Sequence, residues 1–299
     1  MSKYQEQAAE TQQIIEQSLH DLKIAEKDSH KGQNGKLLII GGSQLFHAAS
    51  KWSLDIASKI VDMVFYSSVP SNNCLISMWQ KGELDQQLNQ EAKKNFWQGI
   101  VISRQQIKNY IKEADCVLLG PGMERGAYTA RLSNRLLKKY PEKKWVIDAG
   151  ALQMLNPNLL NANCVITPHQ REIEVLSKKD PRFSQENYQA PATCLLKGPS
   201  DQIFFGKNIQ SKNNNNLPQS VLIKGGNAGM TKGGTGDVLA GLLAALYCKN
   251  SAVISTVIAS YINKKTGDYL FDSVGPHFNA SDLVNNIPKI LWQVKKNIT

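Results

Sequence analysis

A three-layer α/β/α domain around a central, mostly parallel sheet is the fold class this sequence predicts, and three observations carry that expectation. Short apolar runs such as "KLLII" and "CVLL" are continuous rather than alternating, so each strand is expected to be covered on both faces. The runs stop abruptly at Gly, Pro, Asp, His or Lys. Helical stretches such as "YTARLSNRLLKKY" separate them, as crossovers between parallel strands require.

Taken in order, residues 5–27 place Ile14, Ile15, Leu19, Leu22 and Ile24 at helical spacing, which predicts a helix packed outside the sheet. "KLLIIGGS" (36–43), "DCVLLGPG" (115–122), "KWVIDAGAL" (144–152), "NCVITPH" (163–169) and "TCLLKGP" (193–199) read as buried strands ending in turns. The stretch "SKKDPRFSQENYQAPATC" before the last of these is broken by proline. "DQIFFGKNIQ" and "PQSVLIKGG" flank the polar patch "SKNNNN" (211–216), a surface loop, and predict an antiparallel addition at the far side of the sheet. "VLAGLLAALYC", after Asp237, is apolar on more than one side and predicts a buried helix. One domain over residues 1–299 is expected, with residues 1–29 forming the outer helix.

Composition narrows the function classes. No apolar run approaches the roughly 20 residues needed to cross a bilayer, and the polar start "MSKYQEQAAETQQIIEQSLHDL" is unlike a signal peptide, so a cytoplasmic protein without membrane contact is expected. The five cysteines are scattered, with neither zinc spacing nor a disulfide framework, and the histidines lack metal spacing. The formal charge of +10 raises nucleic acid or a polyanionic small molecule as partners. The paired lysines at 93, 138, 143, 178, 264 and 295 lack interleaved aromatics, so a solvated basic surface is expected and nucleic acid is not.

In parallel sheets, ligands bind outside the carboxyl ends of the strands, where all these punctuating residues fall. "GGTG" before the helix at 235 offers unhindered backbone N–H groups at the positive end of a helix dipole, a place for phosphate. Asp237 is then either a helix cap or a functional carboxylate. Lys197 and Gly198 end a strand where an ammonium and a bare backbone can meet a nucleotide, although such a lysine can also be merely solvated. His169 ends another strand with Glu172 three residues on, and a structural role competes with a binding one. Gly120 and Gly122 bring bare backbone to the same edge. "IIGGSQLFHAAS" lacks the full G-x-G-x-x-G, which disfavours a Rossmann nicotinamide site.

With these motifs in this order, the chain resembles the ribokinase-like ADP- or ATP-dependent NAD(P)H-hydrate dehydratases. The likeness spans about residues 30–290 and rests on "HKGQNGKLLIIGGS", "LLGPG", "VIDAGAL", "ITPH" with Glu172, "LLKG", "GNAGMTKGGTGDVLAG" and "ASDLVNNIP". The resemblance implies that Asp237 is the catalytic base and touches the hydrated nicotinamide, while Ala49, Gly122 and His169 line its pocket. It implies that Lys197, Gly198, Pro199, Ser200 and Asp201 hold an adenine nucleotide whose phosphates meet Gly234, Thr235 and Gly236. The implied reaction uses ADP or ATP, with Mg2+, to phosphorylate the ring hydroxyl of hydrated NADH or NADPH (NADHX, NADPHX), and eliminates phosphate to restore the reduced cofactor. A homo-oligomer is implied, and epimer interconversion would fall to a separate NAD(P)HX epimerase. Ala48, Gln170, Arg171 and Ala228 depart from the family pattern, and residues 177–194 are short where a further helix is usual. Two rival readings remain: a small-molecule kinase of the same fold acting on a vitamin precursor or sugar, and a nucleotide-binding protein without turnover.

Overall fold

The computed structural model describes residues 3–77, 99–207 and 217–297. The apolar runs become strands: β1 (Lys36–Ile40), β2 (Met63–Ser67), β3 (Ile100–Val101), β4 (Cys116–Leu119), β5 (Lys144–Ile147), β6 (Cys164–Ile166), β7 (Thr193–Leu196), β8 (Asp201–Phe204) and β9 (Ser220–Ile223). They form one sheet in the order β3-β2-β1-β4-β5-β6-β7-β8-β9. Neighbours from β3 to β7 are parallel, and β8 and β9 add antiparallel, as expected at the far side. The Asn-rich loop expected at 211–216 lies outside the described residues. β2 and β3 are additions to the strands read from sequence.

The helices are α1 (Lys3–Asp21), α2 (His47–Ala57), α3 (Pro70–Ser77), α4 (Ile107–Tyr110), α5 (Ala127–Lys139), α6 (Ala149–Met154), α7 (Gln170–Lys179), α8 (Thr235–Lys249), α9 (Ala252–Val274) and α10 (Ala280–Lys296). Strand residues alternate between two cores: Leu37 and Ile39 meet α1, α2, α8, α9 and α10, whereas Leu38 and Ile40 meet α4, α5, α6 and α7. This is the three-layer arrangement that continuous apolar strands require. Burying each such Leu or Ile contributes about 1.5–3 kcal/mol. α8 is buried on every side from Val238 to Cys248. At Gly241 a Cβ would stand 2.6 Å from the Ser53 carbonyl oxygen, so only glycine lets α2 come this close.

Chain order sets the position of the site. The chain runs outward through β1, β2 and β3 and then returns to β4 on the other side of β1. The carboxyl ends of β1 and β4 therefore diverge into a crevice, held together where Gly42 N–H donates to the Pro121 carbonyl at 2.7 Å.

Two sequence expectations change. The N-terminal helix stops at Asp21 rather than running toward residue 29. The Lys295 ammonium takes the carbonyls of Leu19 and His20, and Lys23 exchanges backbone hydrogen bonds with the Asn250 side chain, so the chain leaves the helix to make tertiary bonds. The lysines are also not all a solvated surface. Lys264 and Lys295 are buried, and Lys144 donates to the carbonyls of Tyr247 and Asn250 at 2.9 Å each, satisfying backbone acceptors near a helix end. The short stretch after α7 contains one turn, Pro181–Phe183, and no α-helix; Phe183 and Tyr188 cover the sheet there, with Tyr188 stacked on Phe204 at 5.1 Å.

Candidate active site

Asp237 lies in the first turn of α8, behind the glycine loop. Gly234 sits at the N-cap position with φ +97°, a left-handed conformation, and a Cβ there would strike the Trp52 ring at 2.4 Å. No side chain caps this helix. Thr235 N–H donates to the Lys232 carbonyl at 3.5 Å, which leaves the Gly236 and Asp237 N–H groups to an outside acceptor, as an anion site at a helix N-terminus requires. α2 fixes the turn from the other side, where Ser53 Oγ donates to the Asp237 carbonyl at 2.8 Å. Among the described residues, none donates a hydrogen bond to the Asp237 carboxylate. Burial, reinforced by the negative charge of Asp148 and opposed by Lys197, pushes this carboxyl up to about 7. A cap accepts from a helix N–H; this carboxylate does not, and it titrates where a general base is useful.

Lys197 follows β7, and its Nζ donates to Asp148 Oδ1 at 2.8 Å. Burial opposes charge on this ammonium, but the charge and hydrogen bond of Asp148 outweigh it and the net direction of its pKa is upward. The lysine is therefore not free in solvent. A Cβ on Gly236 would stand 3.5 Å from its Nζ, which locates the ammonium beside the glycine loop. His169 and Glu172 form a reciprocal capping box on α7: His169 Nδ1 accepts from Glu172 N–H at 3.2 Å, and Glu172 Oε2 accepts from His169 N–H at 2.9 Å. That bond requires Nδ1 to be unprotonated. His169 also lines the cleft, so the structural and binding roles share one residue.

The cleft has a volume of about 620 Å³ and is lined by His169, Lys197, Gly198, Pro199, Asp201, Thr235 and Gly236, together with Gly226, Asn227, Ala228, Met230, Thr231, Leu239, Asn263 and Lys264. Ser200 stands on the same turn outside that lining. Asp201 faces inward: its carboxylate accepts from Gly198 N–H and Ser260 Oγ and pairs with Lys264 at 3.4 Å. It shapes the turn while lining the cleft. Ala49 and Gly122 come together where the β1 and β4 ends are joined, since a Cβ on Gly122 would meet the Ala49 Cβ at 3.0 Å and the Gly42 Cα at 3.3 Å. The cleft thus gathers seven of the expected residues, Asp237 follows the cleft-lining Gly236 but is outside that lining, and Ala49 and Gly122 meet each other away from it.

Sequence reading passed over Asp148, Lys264 and Asn263. Asp148 was visible as the polar end of "VIDAGAL", but nothing in the run tells its partner. Among the described residues no three carboxylate, imidazole or thiol groups gather into a set that could hold a metal ion.

A family model for NAD(P)H-hydrate dehydratases matches residues 37–289. The bifunctional NAD(P)H-hydrate repair enzyme of Methanocaldococcus jannaschii is 36% identical over 280 residues, covering 91% of this chain and 51% of that protein. The ADP-dependent (S)-NAD(P)H-hydrate dehydratase of Cenarchaeum symbiosum is 28% identical over 285 residues, 89% of this chain and 91% of its own. The chain spans about half the length of the bifunctional relatives it matches. Among solved structures, a ribokinase-like superfamily protein from Enterococcus faecalis superposes with TM-score 0.70 at 20% identity, over 93% of this chain and 94% of that one. The ADP/ATP-dependent NAD(P)H-hydrate dehydratase of Bacillus subtilis, co-crystallised with ATP/Mg2+, superposes with TM-score 0.68 at 18% identity, over 94% and 97%. The structural likenesses give the ribokinase-like fold, and with the family match across most of its length the chain belongs to the NAD(P)H-hydrate dehydratase family.

Proposed function

We propose that this chain restores NADH and NADPH from their hydrates, with ADP or ATP as phosphoryl donor. The observation that carries the reading is an unpaired carboxylate, Asp237, titrating near neutral pH in an uncapped helix turn beside a cleft of nucleotide size. Asp237 takes the proton of the ring hydroxyl as its oxygen bonds to the transferring phosphorus, while the bond to the nucleotide's leaving oxygen breaks. The N–H groups behind Gly234 hold the phosphoryl oxygens. Phosphate then departs with the C–O electron pair as the ring nitrogen supplies its own pair, and loss of a proton from the adjacent ring carbon restores the dihydronicotinamide. The nucleotide occupies the β7 side of Asp237, at Lys197, Gly198, Pro199 and the glycine loop. The hydrate enters on the Ala49 and Gly122 side, with His169 at its margin. Ser200 and Asp201 serve the nucleotide through the turn they build.

The same proposal includes magnesium carried on the nucleotide's phosphates, the chain acting as one domain, self-association, a cytoplasmic setting and an NAD(P)HX epimerase acting on the same hydrates. The bifunctional names of its relatives support the last of these. The test is to incubate the purified protein with NADHX or NADPHX plus ADP or ATP and follow dihydronicotinamide absorbance. Its return with free phosphate is expected. A stable phosphate ester would make the chain a small-molecule kinase instead, and no nucleotide consumption would make it a binding protein.

A further inference from the structure

Asp148 ends β5 at the N-cap position of α6, where an aspartate ordinarily turns its carboxylate onto free helix N–H groups. It makes no such cap bond. Its Oδ1 accepts from Lys197 instead, and the chain bends hard to keep it there. Ala149 takes φ +46°, alone among the described non-glycine residues in positive φ. That conformation is unfavourable for a residue with a Cβ. On the neighbouring strand end, a Cβ on Gly120 would lie 1.9 Å from the Asp148 carbonyl oxygen, so the close packing that seats Asp148 requires glycine.

We propose that Asp148 is a positioning residue for the reaction: by anchoring the Lys197 ammonium on the β5 side, it leaves Asp237, next to the cleft-lining Gly236, as an unpaired carboxylate rather than as half of an ion pair. The proposal rests on the base role given to Asp237 above. Lys197 feels three carboxylates, Asp148, Glu172 and Asp237. Glu172 is occupied by His169 N–H and by Gln153 Nε2 at 2.6 Å, so without Asp148 the ammonium is left to Asp237. An ion-paired Asp237 would offer its lone pairs to Lys197 and be a weaker base toward a hydroxyl. The charged groups near Asp237 are few. After β5 comes Asp148 and after β7 Lys197, while Glu172 of α7 acts on Lys197. Lys51 and Asp55 on α2 pair with each other at 2.7 Å, and Lys232 of the glycine loop donates to the carbonyls of Pro276 and Phe278. The near-neutral titration of Asp237, raised by burial and by Asp148, agrees with this arrangement.

The test reads the Asp237 carboxyl by carbon NMR of aspartate-labelled full chain, assigned with Asp237→Asn, alongside the acid limb of the turnover profile. The parent carboxyl is expected to titrate near neutral pH. Asp148→Asn is expected to move that midpoint, and the acid limb of turnover with it, about one pH unit or more toward acid. Lys197→Met is expected to move both the other way. A parent carboxyl titrating near pH 4, the ordinary range, overturns the proposal. So does a midpoint that stays in place while turnover falls, which is what a purely structural role gives. Should Asp148→Asn not fold, the parent titration and Lys197→Met decide by the same criteria. Absent turnover in the parent would remove the dehydratase reading and leave the titration result standing.

Discussion

Two aspartate–lysine pairs lie at the carboxyl edge of this sheet, and only one is finished. Asp201 accepts from Gly198 N–H and Ser260 Oγ and is ion-paired with Lys264, while Lys264 donates to the carbonyls of Gly198 and Pro199 at 3.1 Å each. Every charge there has its partners, and the product is a fixed turn under the cleft. Asp148 and Lys197 form the second pair, but Asp237 stands beside it with no described donor, so the cluster carries one carboxylate more than it can neutralise. Similar residues thus serve different ends: saturation builds shape, and a shortfall of partners builds reactivity.

The largest expected effect strikes the unfinished cluster. Asp237→Asn keeps shape and size but cannot take a proton, so turnover should fall about 100- to 10,000-fold with nucleotide affinity little changed. More than a tenth of parental turnover in a steady-state assay would return Asp237 to a helix-turn role. The finished cluster should respond in stability instead. Lys264→Met leaves Asp201 buried without its counter-charge and should lower stability by about 3–5 kcal/mol, seen as a lower melting temperature and weaker nucleotide binding. A change under about 1 kcal/mol would mean that Ser260 and Gly198 suffice.

A smaller effect separates the clusters by pH. The Asp237 carboxyl is pushed up to about 7 in the folded chain, from an ordinary aspartate value of 3.8. The native state therefore binds more protons than the unfolded chain between those values, and the stability associated with this group is lost as pH rises from about 4 to about 7. Asp237→Asn should raise the melting temperature by a few degrees at pH 8, and the gain should vanish near pH 4. A gain independent of pH would remove ionisation as its cause. The Asp201 cluster has no such excess charge to relieve.

Much of this was legible in the sequence where chemistry is local. Continuous apolar runs ending in Gly or Pro gave β1 and β4 to β7, and the glycine loop pointed to Asp237. β2, "MVFYS", runs on into further residues without such a stop, and β3 is a two-residue edge strand, so neither stands out as a run. The pairings were not legible because they join distant residues. Asp148 and Lys197 are 49 residues apart, and Lys264, in "NKKTGD", looks like any solvated lysine until α9 turns it inward. Asp201 ends the "KGPSD" turn and reads as a nucleotide ligand, yet Ser260 and Lys264 on α9 draw its carboxylate inward.

The smallest predicted effect falls on His169, which belongs to both kinds of region. Its Nδ1 finishes a cap, as Asp201 finishes a turn, while the rest of the ring, with 51% of the side chain exposed, stands at the cleft. Asparagine is among the best N-cap residues, and its side-chain oxygen can accept from Glu172 N–H as Nδ1 does, so His169→Asn should melt within about 1 °C of the parent. It removes the ring that would meet the cofactor hydrate. A lost contact of about 1 kcal/mol should raise KM for the hydrate about fivefold while leaving kcat nearly unchanged, because the ring touches no reacting atom. His169→Ala is the control: it loses ring and cap together, so it should match the KM change and also lose about 1 kcal/mol of stability. An unchanged KM in His169→Asn would reduce His169 to a capping residue and move the hydrate pocket wholly to the Ala49 and Gly122 side.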